Sequence, residues 1–510
     1  MLTEKDKITS LNRIGVALSS ANRLEELFEL IVTECRKFTN ADAGSLFTIE
    51  DGKLIFRVAQ TESLERKLGY KPPFKAFPLP MTKKSVAGYV AVTGEIIHVD
   101  DCYELDPEKG PGFDRSYDEK MDYRSKSMLT VPMRDEQGEV IGVIQLINAL
   151  DESRVKIIPF PQEMVELMQS IASQAAVALQ NARLIAEIKN LFAAFVKYSA
   201  TAIDERSPHT AGHTRRVAGL TMRIANAMNM AKTGDFAEVF FSNQELEELW
   251  FAAWLHDIGK IAVKESVLEK NSRIPFDRLN WIISRLKYDL LQLEIEELKG
   301  SRGDETALNG EKITSAKAQV QSDIEFISKL NTAGFLPPED EARLQVITAR
   351  TFQDIDGSLK PMIDEYEFKN LSIKRGNLTA EEWCEMRSHV IKTRTIVKNI
   401  PFTKGLKNVA DIAAGHHEMV DGSGYPLGIK GDQLPLQARI MAVADIYDAL
   451  TAADRPYKKA IPFDKSIAIL REDAAKGKLD SRVVEFMIEN KLYEGHLEDQ
   501  AEYPWKIEVF

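Results

Sequence analysis

Between residues 163 and 205 the chain contains neither glycine nor proline. Met164, Leu167, Ile171, Ala175, Ala178, Ala182 and Ile185 recur there at spacings of three and four, so the stretch reads as one long helix. An amphipathic helix of that length joins two bodies, and the sequence on either side of it is read separately. Small residues along its middle fit a two-helix seam, which points to a parallel homodimer; an intrachain spacer is the alternative.

Upstream, Leu11, Ile14 and Leu18, then Leu24, Leu27, Phe28 and Ile31, keep a helical period through residues 1–40. From Gly44 the period becomes two. Residues 45–49 and 54–58 form a hairpin about Asp51-Gly52, a type I′ signal. Residues 96–99, where His98 reads as an ordinary strand residue, and 127–133 follow as strands. A second hairpin turns near Gln137-Gly138 into 140–148. Helix, strands, a variable middle, strands and helix make an α+β sensor domain in outline. The expected boundaries are an N-terminal helix at 1–20, the sensor at 21–162, the connecting helix at 163–198 and a second domain at 199–510.

The run from Arg23 to Leu184, chiefly VPMRDEQGEVIGVIQLINA, resembles a GAF domain. Cyclic-nucleotide-binding GAF domains carry an Asn-Lys…Phe…Asp-Glu signature. Here Asn148 is followed by Ala149, and Phe160 stands too close to Gln162-Glu163. The GAF ligand is therefore left unknown, with a dimerisation or docking module as the alternative.

The second half carries the chemistry. Leu246, Leu249, Trp250, Ala253 and Trp254 mark one apolar helix face, and Asp257 falls on that stripe beside His256, with Gly259-Lys260 closing the helix. A carboxylate buried there must be paired, hydrogen-bonded or metal-bound. His209 and His213 stand four apart, one helical turn, if the helix already runs through Pro208. His389 follows a capping box at Thr379 and Glu382. His416 shares an apolar face with Val409, Ile412 and Ala413, and His417 is next to it. The Asp421–Pro426 turn, through its glycines, lets backbone approach a ligand, and Asp445 is an inward carboxylate on the helix at 439–450.

The chain has eight histidines, and six of them are those just named. Any one alone reads as an ordinary core or surface residue; together with Asp257 and Asp445 they read as a polynuclear metal site. Imidazole and carboxylate without thiolate suit Fe, Mn, Ni or Zn better than Ca or Mg. Between the two halves of this constellation, residues 273–374 form a charged helical insertion without recognisable chemistry, with helices expected at Asp277–Leu298, Ile313–Leu330 and Pro338–Tyr366.

Charge and cysteine usage narrow the setting. A net charge of −12 and a pI near 5.4 argue against polymeric nucleic acid as a partner, although a local pocket can still take a small anion. The three cysteines show no paired or metal spacing, as expected of reduced cytosolic thiols. No apolar run reaches the ~18 residues of a membrane span, and the first residues lack a signal-peptide core. The expected location is cytoplasmic.

HDIGK, GHHEMVDGSGYP and ARIMAVADIYDALTAADRPY together resemble the HD-GYP phosphodiesterases, a subgroup of the HD-domain metallohydrolases, over roughly 195–270 and 375–475. The resemblance implies an α+β GAF-like domain joined by a long helix to an all-α HD-type domain that hydrolyses cyclic di-GMP, to linear pGpG and/or GMP, at two or three divalent metals. Fe or Mn is expected first, with Ni and Zn as alternatives. By position it implies His213, His256, Asp257 as the bridge, His389, His416, His417 and Asp445 as ligands. His209 stands where some members carry a carboxylate for a third metal. Lys260 would meet the scissile phosphate, Arg455 and Lys458 the guanylate or second phosphate, and Gly424, Tyr425 and Pro426 would border the pocket. The alternatives are a hydrolase of another cyclic dinucleotide, such as cyclic GMP-AMP, and a catalytically silent cyclic-dinucleotide receptor.

Overall fold

The computed structural model describes residues 15, 24–206, 212–300, 310–452 and 461–505. The chain separates into two compact units that divide after Phe192, inside one long helix. Of the segment expected as an N-terminal helix, all but Gly15 lies outside the described residues.

In the first unit, helix α1 (Leu24–Thr39) precedes strands β1 (Ala41–Glu50) and β2 (Lys53–Thr61), then β3 (Phe77–Leu79), helix α2 (Val86–Thr93), β4 (Ile97–Val99), β5 (Met128–Arg134), β6 (Val140–Leu150) and β7 (Ile157–Ile158). The sheet order is β3-β2-β1-β6-β5-β4, with β7 on β6. Glu50 faces Lys53 across a turn in which Asp51 and Gly52 have φ of 46° and 72°, the two positive angles of the expected type I′ hairpin. Side chains alternate across β1: Leu46 joins a core with Ile31, Val131 and Ile144, whereas Phe47 joins a second core with Leu54, Val90 and Val143.

Helix α3 (Gln162–Arg206) runs unbroken for 45 residues. Its first half belongs to the first unit's core: Met168, Ile171, Ala172, Ala175, Ala176 and Leu179 are buried beside α1 and the sheet. The seam expected through Ile171, Ala175 and Ala182 is corrected accordingly. Those residues face the domain they follow, because a sheet with one open apolar face takes the nearest apolar helix. A different stripe is exposed: Val177, Leu184, Ile188, Leu191, Phe195 and Tyr198.

The second unit contains α4 (His213–Met230), α5 (Asn243–Leu255), α6 (Phe276–Gly300), α7 (Gly310–Thr332) and α8 (Pro338–Thr348), then β8 (Thr351–Gln353), β9 (Leu359–Pro361), α9 (Glu365–Leu371), α10 (Ala380–Lys398), α11 (Val409–Ala414), α12 (Leu436–Thr451), α13 (Phe463–Ala475) and α14 (Ser481–Glu489). Helix α5 opens on a Ser242/Glu245 capping box, and every residue from Leu249 to Leu255 is buried. The indole N–H groups of Trp250 and Trp254 both donate to the Ala501 carbonyl at 3.0 Å, which ties the chain's last described segment to this helix.

The insertion departs from expectation at one place. A single helix over Pro338–Tyr366 does not form; α8 stops at Thr348 and a two-stranded hairpin, β8–β9, follows. Asp356 accepts the backbone N–H of Ser358 at 2.9 Å and Gly357 adopts φ 82°, so side chain and glycine together stabilise a turn where a helix would need both residues in register. The insertion has its own apolar core, from Ile274 through Leu286, Ile327 and Leu344 to Leu371.

Candidate metal centre

Five segments distant in sequence meet inside the second unit. His213 is the first residue of α4, and His256 and Asp257 form the turn after α5. His389 lies on α10, His416 and His417 follow α11, and Asp445 lies on α12. Asp257 was expected on the α5 stripe, but the helix ends two residues before it; the carboxylate is nonetheless buried. Whether a helix runs through Pro208 and His209 falls outside the described residues; the described helix α4 begins at His213. Gly212 has φ 71° at the N-cap, a left-handed conformation that starts a new helix at His213. His209 itself lies outside the described residues, as do Arg455 and Lys458.

Asp257 is the centre of the cluster. Its Oδ2 lies 3.3 Å from His256 Nε2 and 3.6 Å from His213 Nε2, while its Oδ1 lies 3.4 Å from His389 Nε2 and 4.0 Å from His416 Nε2. Asp445 stands 3.2 Å from His213 Nε2 and 3.9 Å from His417 Nδ1. Three ligand sets within reach of one ion follow: His389, His416 and His417; His213, His256 and Asp445; and His256, Asp257 and His416.

Main-chain anchors aim three of these rings. The Nδ1 of His256, His389 and His416 meets the carbonyl three residues earlier, at Ala253, Met386 and Ala413, at 2.6–2.7 Å. A carbonyl only accepts, so each Nδ1 carries the proton and each Nε2 presents a lone pair. Those three Nε2 atoms and Asp257 Oδ1 are buried and make no hydrogen bond. Four orphaned acceptors facing one another are costly unless something electropositive sits between them, and this donor set fits divalent transition metals. His213 is oriented differently: its Nδ1 pairs with Asp448 Oδ2 at 2.7 Å, and Arg216 Nε donates to Asp448 Oδ1 at 2.6 Å.

Electrostatics divide the rings: burial opposes charge on His256, but the neighbouring Asp257 carboxylate prevails and raises it. Burial holds His416 well below the usual imidazole range and His417 down to about 4, so both are neutral at pH 7. Burial alone would raise the Asp257 carboxyl, but Lys260 and His256 outweigh it and keep the group ionised. Burial also opposes charge on His213; its hydrogen bonds to the Asp257, Asp445 and Asp448 carboxylates prevail and raise it. Lys260 Nζ lies 2.5 Å from Asp257 Oδ2.

Further residues hold the ligands in place, and the sequence pattern does not mark Thr393, Asp204 or Glu418 for that role. Thr393, one turn after His389, donates to the His256 carbonyl and accepts the Gly259 N–H, both at 2.9 Å, so one hydroxyl ties the His-Asp turn to α10. Gly259 packs so closely that a Cβ there would stand 2.0 Å from the His389 carbonyl oxygen. Asp204, in the last turn of α3, accepts the backbone N–H and hydroxyl of Thr214, at 2.9 and 2.8 Å, immediately after His213. Glu418 is buried and accepts the N–H groups of Leu427 and Ile429, pinning the loop of Gly424, Tyr425 and Pro426. A Cβ on Gly424 would come within 2.2 Å of Met419 N. The Tyr425 ring lies 4.8 Å from that of His417. Asp448 had a signal available: it stands three residues after Asp445, on the same helix face.

A GAF-domain model matches residues 23–179, and two HD-domain models match 210–301 and 365–483. Over 101 residues the chain is 44% identical to 3'3'-cGAMP-specific phosphodiesterase 3 of Vibrio cholerae, covering 20% of this chain and 21% of that protein. Over 128 residues it is 41% identical to a probable cyclic di-GMP phosphodiesterase of the same organism, covering 24% and 29%. The chain thus spans less than a third of the length of these curated relatives. The GAF domain of a phosphoenolpyruvate-protein phosphotransferase from Coxiella burnetii aligns at 21% identity and a TM-score of 0.28, over 35% of this chain and 96% of that one. Among the described residues no helix is long and apolar enough to cross a membrane. The chain is thus similar to GAF domains over residues 23–179 and to HD domains over residues 210–301 and 365–483.

Proposed function

We propose that this protein is a metal-dependent phosphodiesterase hydrolysing cyclic di-GMP, to linear pGpG and/or GMP, under the control of its GAF domain in bacterial second-messenger signalling. One observation carries the reading: three buried imidazole Nε2 atoms without hydrogen bonds stand about the Asp257 carboxylate, one oxygen of which is equally without one. The names of the relatives support it. His213, His256 and Asp445 would hold one divalent ion and His389, His416 and His417 a second, with Asp257 shared between them. Fe or Mn is the first choice, with Ni and Zn next. A third ion would involve His209. Divalent ions held there would supply an activated water at neutral pH and neutralise phosphoryl charge.

The chain's own groups do the rest. Lys260 sets a cation beside Asp257, where negative charge builds on the scissile phosphate. The buried rings exclude bulk water and strengthen that field. Gly424, Tyr425 and Pro426 border the pocket, and Arg455 and Lys458 would meet the guanylate or the second phosphate. The test is incubation of purified protein with cyclic di-GMP and cyclic GMP-AMP under Fe(II) and Mn(II), with chromatography of products; no turnover of either overturns the reading. Preference for cyclic GMP-AMP is the second reading, favoured by the name of a relative.

The protein would act as a parallel homodimer. Leu184, Ile188, Leu191, Phe195 and Tyr198 are exposed at alternating spacings of four and three along α3, the heptad pattern of a two-helix seam. Light scattering showing a monomer at micromolar concentration would remove the dimer.

A further inference from the structure

Arg387 was not singled out by its sequence, yet it stands at the edge of the cluster, unpaired with any carboxylate among the described residues. It lies two residues before His389 on α10, half-buried, with its guanidinium carbon 4.2 Å from the centre of the Tyr425 ring. Tyr425 in turn rests on His417, the two rings 4.8 Å apart and tilted by 31°. A stack of guanidinium, phenol and imidazole therefore leads from Arg387 into the proposed metal site.

The neighbouring charges are engaged in ion pairs. Lys260 pairs with Asp257 and Arg216 with Asp448 inside the cluster. On the same helix Lys392 pairs with Glu385 at 3.2 Å and Arg394 with Asp411 at 2.8 Å. Among the described residues no carboxylate reaches Arg387 within 4.0 Å, and its contact with Tyr425 leaves its hydrogen-bonding groups unused. A guanidinium lying over a ring keeps its N–H groups in its own plane. Both edges stay free for an oxyanion while the ring fixes the plane's orientation.

We propose that Arg387 binds the non-reacting phosphate of the substrate, held in orientation by Tyr425. This rests on the reading of the site as a cyclic-dinucleotide phosphodiesterase. A 3′,5′-linked cyclic dinucleotide carries two phosphodiester anions. One must lie at the metals, and the other needs a cation that no carboxylate has already neutralised. Arg387 meets that requirement, alongside whatever Arg455 and Lys458 contribute.

The experiment compares wild type, Arg387→Ala and Arg387→Lys, as full-length metal-loaded protein, on cyclic di-GMP and on bis(p-nitrophenyl) phosphate. The second substrate has one phosphodiester, no second phosphate and no nucleobase. Arg387→Ala should raise KM for cyclic di-GMP about 10- to 100-fold, the scale of a charge-assisted hydrogen bond. The kcat, the metal content and turnover of bis(p-nitrophenyl) phosphate should stay within about twofold of wild type, and Arg387→Lys should recover part of the KM. Unchanged KM for cyclic di-GMP, or an equal loss on both substrates, overturns the proposal. Guanosine is added as an inhibitor of bis(p-nitrophenyl) phosphate turnover. If Arg387→Ala weakens it, the guanidinium reads the base and the phosphate assignment falls. Wild type that cleaves bis(p-nitrophenyl) phosphate but no cyclic dinucleotide would instead refute the underlying function.

Discussion

Replacing Thr393 by valine should loosen the centre without touching any proposed ligand. The side chain is fully buried, and its hydroxyl joins the His256 carbonyl to the Gly259 N–H through two contacts of 2.9 Å. Valine fills the same volume but leaves one buried acceptor and one buried donor unpaired. Each costs about 1–3 kcal/mol, so the expected loss is about 2–4 kcal/mol once local relaxation is allowed. For a unit of this size that lowers Tm by several degrees. Because the same turn presents His256 and Asp257, and His389 lies one turn back on α10, metal affinity should fall by about 10- to 100-fold, as when other supporting groups of metal sites are removed. Differential scanning calorimetry and Mn(II) titration read the two effects. Thr393→Ser is the control: it keeps the hydroxyl and loses one methyl, at about 1 kcal/mol. If the valine and serine variants match in Tm and in metal affinity, the hydroxyl is not the tie and the reasoning fails.

Asp257→Ala should strip the metals and abolish turnover while far-ultraviolet circular dichroism stays helical; full metal content by elemental analysis would remove Asp257 as the bridge. Asp448→Asn replaces the carboxylate that orients His213 Nδ1, and Mn(II) affinity should fall about tenfold or more. In metal-free protein His417, held near 4 by burial, refuses a proton that the unfolded chain accepts at about 6.5. Its contribution to stability is therefore full above about 6.5 and lost as pH falls towards 4. Urea melts of His417→Gln should show a shallower loss than wild type across that window. Replacing residues 275–370 by a short linker should leave metal content unchanged, because the insertion is built on its own apolar core; loss of metal would place it in the centre.

How much of this could be read from the chain depends on how local each cause is. The hairpin at Asp51-Gly52 and the cap at Thr379 are written within a few residues, and both form. His256, Asp257, His389, His416, His417 and Asp445 could be named because their motifs are short and their residue types uncommon in an apolar face. What Thr393 does was not legible, since its partners lie more than a hundred positions away. The stacking of Arg387 on Tyr425 depends likewise on two segments that only the fold brings together. The periodicity of α3 identified a helix correctly but not its facing, because a 3.6-residue period shows that an apolar stripe exists and says nothing of which neighbour claims it. The hairpin at 351–361 was hidden by flanking residues that read equally well as helix.

The way the imidazoles are held sets what further sequence change can reach. Three of the rings are anchored by carbonyls of Ala253, Met386 and Ala413, and no side-chain substitution at those positions deletes a carbonyl. Drift in the surrounding sequence therefore leaves these anchors intact for as long as the helices stand. His213 differs, since its anchor is the side chain of Asp448, which a single codon change can abolish or weaken. A lineage adjusting the grip or the identity of its metal would find that position the most accessible of the four, and variation among descendants of this chain should gather there rather than around the other three rings.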